Sequence, residues 1–351
     1  MLTGPGEART LRAPWPLGGR RWALLVLTHS DVLELLPMRI CIDLMADALA
    51  ARARGEAIQP LRTPVRLPDG SGLMVTMPAW VGSSSPALGV KVISVFPGNR
   101  ERGEDSHQGA VLAVDPDTGA LLALLEAGAV TAVRTAAVSA VATRALSLAG
   151  AMDLAMLGAG VQAVTHLEAM CAVRPIRRVR IWNRTPAPAA SLAQMAREKF
   201  GIVAEVVNSP REAVRGSTII CTVTGAAEPI LKGDWLGPGS HINAVGSSLA
   251  STRELDSDAV VKASLFVDSQ ESALNEAGDL LIPIQEGRVT QAHIKAELGD
   301  VLIGRHPGRT SPAEITLFKS LGLGIEDVAA ARYVVEEAKR TGAGTEVPLL
   351  T

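Results

Sequence analysis

From Leu61 to Leu125 apolar positions come in short alternating runs. The runs Thr63–Leu67, Leu73–Met77, Gly89–Phe96, Ala110–Val114 and Ala120–Leu125 therefore read as β-strands. The last two flank Asp115-Pro116-Asp117-Thr118-Gly119, a turn sequence that makes them a hairpin. Ahead of them the pattern gives a strand at Trp22–Leu27, a helical turn capped by Ser30 or Asp31, and an Ala/Leu/Met-rich helix over Arg39–Arg54. A long Ala-rich helix runs from Val130 to Leu148 and stops at Gly150. At Met152 the rhythm changes. Strands at 152–157, 178–182, 202–207, 217–223 and 240–245 alternate with helices at 161–173, 187–200 and 210–215. The strands are continuously apolar, which is the pattern of a parallel sheet buried on both faces. Residues 291–304 and 322–340 read as helical, and Leu265–Asp268 as a strand. The expected fold class is α/β: a Rossmann-type doubly wound parallel-sheet domain joined to a β-rich α+β domain. Residues 1–20, rich in Gly, Pro and Arg, read as a loose leader.

Composition narrows the functional classes. Of 351 residues 47% are hydrophobic and 20% charged, which excludes a disordered chain. Lys and Arg number 34 against 36 Asp and Glu, so no basic excess points to nucleic acid. Cys41, Cys171 and Cys221 are far apart and form no CxxC, so neither a disulfide framework nor a metal cluster is signalled. No apolar run is long enough to span a membrane, and the first twenty residues hold no secretory core. A cytoplasmic globular protein with a small-molecule partner is expected.

Gly158-Ala159-Gly160-Val161-Gln162-Ala163 fits G-x-G-x-x-A between an expected strand and an expected helix. The first glycine permits the turn, the second lets the backbone approach a pyrophosphate, and the helix N-terminus offers free N–H groups. The motif alone also occurs as a plain structural turn; the βα units around it favour a dinucleotide. NAD enzymes usually carry an acid about 20 residues later for the ribose 2′-hydroxyl. Between Glu168 and Glu198 this chain has none, and Asn183, Arg184 and Thr185 occupy the place. An arginine there suits a 2′-phosphate, so NADP(H) is favoured over NAD(H), the alternative being a solvated loop arginine.

Three cations stand in apolar surroundings in the β-rich half: Arg62, Lys91 and Arg134. Lys91 is one of only seven lysines. A lysine inside an apolar strand is costly to bury without an anionic partner. Each cation alone reads more often as a snorkelling surface residue; together, beside a dinucleotide domain, they suit a substrate carboxylate. Glu276-Ala277-Gly278-Asp279 is an acidic cluster placed to reach the same cleft. His29, His166, His241, His293 and His306 read as structural or surface residues, whereas His107, between Ser106 and Gln108, stands in a polar loop.

At these residues the sequence resembles the ornithine cyclodeaminase/mu-crystallin family. The matching stretches include Gln59–Thr63, Met77-Pro78-Ala79, Gly89–Val95, Ser106–Gln108, Thr131–Ser139, Gly158–Gln162, Ile181–Thr185, His241–Gly246, Val267–Gln270 and Leu317–Gly322. They run in order from about residue 22 to 341. The resemblance implies a homodimer. It implies a substrate-binding and dimerisation domain over 21–148 with 321–351, and a Rossmann NAD(P) domain over 149–320. Carried over by motif, Arg62, Lys91 and Arg134 surround the substrate carboxylate, Glu276 is a second substrate contact, and Lys91, Arg134 and Glu276 are the catalytic candidates. The cofactor set implied is Ser106, His107, Gln108, Arg134, Gly158, Ala159, Gly160, Val161, Gln162, Asn183, Arg184, Thr185, Thr222, Val223, Thr224, Val245 and Ser320, with no metal.

Cyclodeaminases of the family place one carboxylate two residues after the Asn-Ala-Val-Gly glycine and another two residues before the Met-Pro pair. Here those positions are Ser248 and Val75, which removes the partners for a second, cationic amine. The implied activity is NAD(P)H-dependent reduction of a carboxylate-bearing cyclic ketimine such as Δ1-pyrroline-2-carboxylate or Δ1-piperideine-2-carboxylate. Lys91 is the candidate proton donor or orienter, and Glu276 a stabiliser of the iminium charge. An alanine-dehydrogenase-like reductive amination, a cyclodeaminase with rearranged acids, and a non-catalytic NADP-dependent binder are the competing expectations.

Overall fold

A computed structural model describes residues 23–82 and 85–349. The leader over 1–20, and Trp22 of the expected first strand, lie outside the described residues. The chain enters on β1 (Ala23–Leu27), followed by α1 (His29–Leu35) and α2 (Met38–Ala53). The cap of α1 is Thr28, ahead of the expected Ser30 or Asp31. The Asp31 N–H donates to the Thr28 hydroxyl while the Asp31 carboxylate accepts from the Thr28 N–H, a reciprocal box that satisfies two end groups at once.

Strands β2 (Ala57–Ile58), β3 (Thr63–Arg66), β4 (Leu73–Val81), β5 (Ala87–Val95), β6 (His107–Val114) and β7 (Leu121–Glu126) come next, then the 20-residue helix α3 (Ala127–Leu146). The β6–β7 hairpin turns at Asp115, whose carboxylate accepts from the N–H groups of Asp117 and Thr118. Glu126 caps α3, accepting from the N–H groups of Gly128 and Ala129.

The chain then builds β8 (Asp153–Leu157), α4 (Val161–Val173), β9 (Arg178–Trp182), α5 (Pro186–Phe200), β10 (Val203–Val206), α6 (Pro210–Val214), β11 (Ile219–Thr222) and β12 (His241–Ala244). After these come α7 (Ser257–Lys262), β13 (Ser264–Val267), α8 (Gln270–Glu276), α9 (Gly278–Gln285), β14 (Ile294–Glu297), α10 (Leu298–Leu302) and β15 (Thr316–Lys319). It closes with α11 (Gly324–Thr341) and β16 (Thr345–Pro348). The segment 291–304, expected to be one helix, is instead a 3-10 turn, the strand β14 and the short α10. The four residues Ile-Lys-Ala-Glu fit a sheet edge, and β14 finds one beside β13. β15 was not expected either; it inserts between β12 and β13.

The first sheet has the order β16-β1-β7-β6-β5-β4-β2, with β3 on β4. It is antiparallel except where β1 lies parallel to β7. Its register places Met77, Lys91, Val111 and Leu125 side by side, all buried. That row faces α2, α3 and α11. The second sheet is parallel throughout, in the order β10-β9-β8-β11-β12-β15-β13-β14. Its two faces alternate along each strand. Leu154, Met156, Ile219 and Cys221 join the core that also contains α2, α3 and α11, while Ala155, Leu157, Ile220 and Ile242 pack into a second core. Burial on both sides explains why these strands read as unbroken apolar runs.

The small side chains of α3 let α2 and α4 approach closely. His166 ties α3 to α4. Its Nδ1–H donates to the Gln162 carbonyl at 2.7 Å, so Nε2 is the acceptor of the Ser139 hydroxyl at 2.9 Å. Burial lowers its pKa to about 4, which keeps the ring neutral.

Candidate active site

Ligands of open parallel sheets bind beyond the C-terminal ends of the strands, where the strand order reverses. In the second sheet that point lies between β8 and β11. The loop after β8 turns at Gly158, whose φ of +113° lies in the region closed to side chains, and whose Cβ would sit 2.8 Å from the Val223 carbonyl. A Cβ on Gly160 would meet nothing, so the space beside the loop is open. Gly160 is the N-cap of α4 and no side chain caps that helix. The loop is fixed from the neighbouring strand: Gly158 N–H donates to the Trp182 carbonyl at 2.8 Å, and Ala159 N–H to Asn183 Oδ1 at 3.2 Å. The buried atoms Thr131 Oγ1, Gln162 Oε1 and Ser320 Oγ have no hydrogen-bond partner among the described residues. Open space at a glycine turn, an uncapped helix start and polar atoms awaiting partners fit a dinucleotide.

On the same edge, the segment that leaves β15 meets the first sheet, and the charged residues gather there. Lys91, 2% exposed, points from the middle of β5 at Asp327 on α11, with Nζ 2.9 Å from Oδ1 and 2.8 Å from Oδ2. Arg134, from α3, is 4% exposed and donates through Nε to Asp327 Oδ1 at 2.9 Å and through Nη1 to Glu326 Oε2 at 2.8 Å. Arg62 pairs with Glu276 at 2.9 Å and donates to the carbonyls of Leu321 and Gly322. Its loop is held by Gln59, whose side-chain oxygen accepts from the Ile325 N–H at the start of α11. Asp268, at the end of β13, accepts from the N–H groups of Ser269, Leu321 and Gly322. Gly322 has φ +81°, and a Cβ there would lie 2.4 Å from Arg134 Nη1, so only glycine leaves the guanidinium its place.

Burial drives the electrostatics of this cluster. It lowers the Lys91 ammonium from 10.5 to about 8, helped by Arg134 and opposed by Asp327. It raises Glu326 from 4.5 to about 7, against the pull of Arg134. Asp268 and Glu276 are also raised, again by burial first. Beside Lys91, on the same face of the sheet, Val75, Met77 and Ile93 form a small apolar cluster with Leu73 packed against it.

A second buried charge group underlies the loops after β11 and β12. The Glu254 carboxylate accepts from Thr222 Oγ1 at 2.7 Å, from the N–H and hydroxyl of Thr224 at 2.7 and 2.6 Å, and from the Gly246 N–H at 2.8 Å. Burial, reinforced by Asp279, raises its pKa. Asp279 accepts from the N–H groups of Glu254 and Leu255 and pairs with Lys319 at 3.0 Å. Lys319 in turn donates to the carbonyls of Ala244 and Ser247.

The structure thus brings Arg62, Lys91, Arg134 and Glu276 together. Asp279 joins Lys319 instead. Thr222 is fully buried against Glu254, while Thr224, Val223 and Val245 lie on the loops at the strand ends. Asn183 is spent within the protein, its amide donating to the Thr185 carbonyl and hydroxyl. Arg184 is exposed beside it. Ser106, His107 and Gln108 sit where β6 begins, with local contacts: Ser106 Oγ to His107 Nδ1, and Gln108 Nε2 to the Asp105 carbonyl. Among the described residues no group of His, Cys, Asp and Glu is placed to hold a metal ion, and no helix is long and apolar enough to cross a membrane. Sequence reasoning missed Asp268, Glu254, Lys319, Glu326 and Asp327. Acids in the first turn of a helix ordinarily complement its dipole, so Glu326 and Asp327 carried no special mark. Their one signal was a charged pair inside the otherwise apolar stretch from Leu321 to Ala331.

Comparison with known proteins gives a consistent set of relatives. The profile of the ornithine cyclodeaminase/mu-crystallin family matches residues 23–342. A Delta(1)-pyrroline-2-carboxylate reductase of Bacillus cereus is 39% identical over 325 residues, covering 92% of this chain and 99% of its own. The ketimine reductase mu-crystallin of Mus musculus is 42% identical over 282 residues, 80% of this chain and 86% of its own. Among solved structures, the Delta(1)-pyrroline-2-carboxylate reductase of Thermococcus litoralis, in complex with NADH and L-proline, superposes with a TM-score of 0.90 at 42% identity, covering 92% of this chain and all (100%) of its own.

Proposed function

The chain belongs to the ornithine cyclodeaminase/mu-crystallin family, and from that premise we propose that it is an NAD(P)H-dependent reductase of a carboxylate-bearing cyclic ketimine, of the Δ1-pyrroline-2-carboxylate or Δ1-piperideine-2-carboxylate kind. The observation that carries this reading is the meeting of Arg62, Lys91 and Arg134 beside the apolar wall of Val75, Met77 and Ile93. Cations suit the carboxylate and the wall suits a hydrocarbon ring. Substrate recognition and dimerisation are assigned to residues 21–148 with 321–351, and cofactor binding to 149–320.

Arg134 uses Nε and Nη1 on protein acids, which leaves Nη2 to face a substrate carboxylate; Arg62 is the second arm. A bound nicotinamide supplies the hydride. The imine nitrogen must be protonated to accept it well. Lys91 is the proton donor or orienter: with a pKa of about 8 it holds its proton at neutral pH and releases it readily. Asp327, 2.8 Å away, steadies it. Glu276 stands ready to balance positive charge on the ring nitrogen. NADP(H) is preferred to NAD(H), because Arg184 is exposed where an acid would otherwise bind the ribose, and Asn183 is occupied in holding the loop.

The outer face of the first sheet supports a homodimer. Met74, Val92, Ala110, Leu112 and Leu124, on the side opposite Lys91, line with Ser94 and Gln108 a largely apolar concavity of about 350 Å³, which places Gln108, an expected cofactor contact, on this outer face. A second copy of the same face would cover it.

The test is a substrate panel: oxidation of NADPH and NADH with each cyclic imine, with pyruvate plus ammonia, and the reverse assay with ornithine and NAD. Imine reduction is expected, with no ammonia from ornithine, since Val75 and Ser248 stand where cyclodeaminases carry acids. Ammonia release at a rate comparable to imine reduction would overturn the assignment.

A further inference from the structure

In the enclosure around Arg134, the three cations Arg62, Lys91 and Arg134 stand among four carboxylates, Asp268, Glu276, Glu326 and Asp327. A substrate carboxylate would add a fifth negative charge, and an uncompensated buried charge is costly. Three of the four acids are well answered by the protein: Asp327 pairs with two cations, Asp268 accepts from three backbone N–H groups, and Glu276 pairs with Arg62 in a partly exposed position. Glu326 is answered least. Its Oε2 accepts from Arg134 alone, and its Oε1 is buried with no hydrogen-bond partner among the described residues. The groups that face it are Arg134 from α3, Cys41 from α2, Asp268 from the end of β13, and Asp327 on its own helix; Lys91 and Arg62 stand one contact further out.

We propose that Glu326 takes up one proton from solvent when a carboxylate-bearing substrate binds, releasing Arg134 Nη1 to the substrate and keeping the charge of the enclosure constant. The inference rests on the reading of this site as the carboxylate-binding site of an imine reductase. Glu326 titrates in the right range, since burial has raised it to about 7.

The experiment is calorimetric titration of the cofactor-loaded protein with cyclopentanecarboxylate, an anion with no titratable nitrogen, in phosphate and in Tris, whose ionisation enthalpies differ. Cyclopentanecarboxamide is the neutral control. The wild type is expected to take up about one proton per anion at pH 8 and about none at pH 6, with Kd rising toward tenfold per pH unit above pH 7. Glu326→Gln is expected to show no uptake and a Kd flat between pH 6 and 8. Binding without uptake at pH 8, failure of the anion to bind, or undiminished uptake in Glu326→Gln, which would place the proton on Lys91 or another acid, each overturns the proposal. If Glu326→Gln does not fold, the wild-type proton counts at the two pH values decide. Imine reduction is assayed on the same preparation. Reduction without proton uptake defeats this inference alone, whereas absence of both reduction and anion binding defeats the reading beneath it.

Discussion

Lys91 and Asp327 are 236 residues apart in sequence and form a buried ion pair, with the ammonium 2.9 and 2.8 Å from the two carboxylate oxygens. Asp327 opposes the effect of burial on Lys91 and so helps to keep it protonated. Removing the carboxylate charge in Asp327→Asn should lower the Lys91 pKa below about 8. If protonated Lys91 is the competent form, the alkaline limb of the kcat profile then moves to lower pH. Lys91→Met should lower kcat on the order of 10²–10⁴-fold, the usual range for general acid–base groups. Profiles across pH 6–9 check both; an unmoved limb in Asp327→Asn, or near-wild-type kcat in Lys91→Met, would demote Lys91 to a binding residue.

Arg184 is exposed beside the glycine loop and Asn183 is committed to the backbone. Arg184→Ala should weaken NADPH by about 1–3 kcal/mol, as for a lost charge-assisted hydrogen bond, and NADH much less. KM values for both cofactors test it. Equal losses would show that Arg184 does not read the 2′-phosphate.

Gly322 joins backbone strain to a close contact, with φ +81° and a would-be Cβ 2.4 Å from Arg134 Nη1. Gly322→Ala should cost about 1–3 kcal/mol of stability from the backbone alone. It should also push Arg134 out of place, raising KM for the imine more than for the nucleotide. Thermal unfolding and steady-state kinetics are the measurements; an unchanged imine KM would place Arg134 away from the substrate.

Glu326 contributes a pH dependence of stability with a definite sign. Its folded pKa, about 7, lies above the ordinary 4.5, so between those values the folded protein binds more protons than the unfolded one. Stability from this group is therefore full below about pH 4.5 and is lost as pH rises through 7. Glu326→Gln should flatten that part of the curve. Denaturant midpoints at pH 5 and 8 would reveal it, and an unaltered slope would assign the dependence elsewhere.

The outer sheet face offers a direct test of assembly. Leu112→Glu places a charge in the apolar concavity shared with Val92 and Leu124, and should convert a dimer to a monomer with little loss of secondary structure. Light scattering with circular dichroism measures both; a dimer that survives the substitution uses another surface.

Much of the fold was legible in advance because its signals are local. Strand 178–182 and helix 161–173 stand where the periodicity put them. The glycine loop stands between its strand and helix because only a tight turn joins the two there. The errors fell where local pattern is weak. β14 is four residues long and β15 equally short, and both exist because a parallel neighbour was available to pair with.

The sequence by itself determined that three cations lie in apolar surroundings and that Val75 and Ser248 stand two residues before Met77-Pro78 and two after Gly246, where the family resemblance implies carboxylates in a cyclodeaminase. It also determined that no acid follows the glycine loop at the ribose position. These are statements about residue types at fixed spacings along one strand, helix or loop. Only the tertiary structure decided what answers those cations. Glu326 and Asp327 lie 192 and 236 residues from the Arg134 and Lys91 they hold, and an ion pair leaves no periodic trace across such a distance. The same holds for Glu254, which looked like one more loop acid and is buried under four hydrogen bonds. Burial is a property of packing, and packing turns an ordinary acid in a helix's first turn into one that titrates near neutral pH.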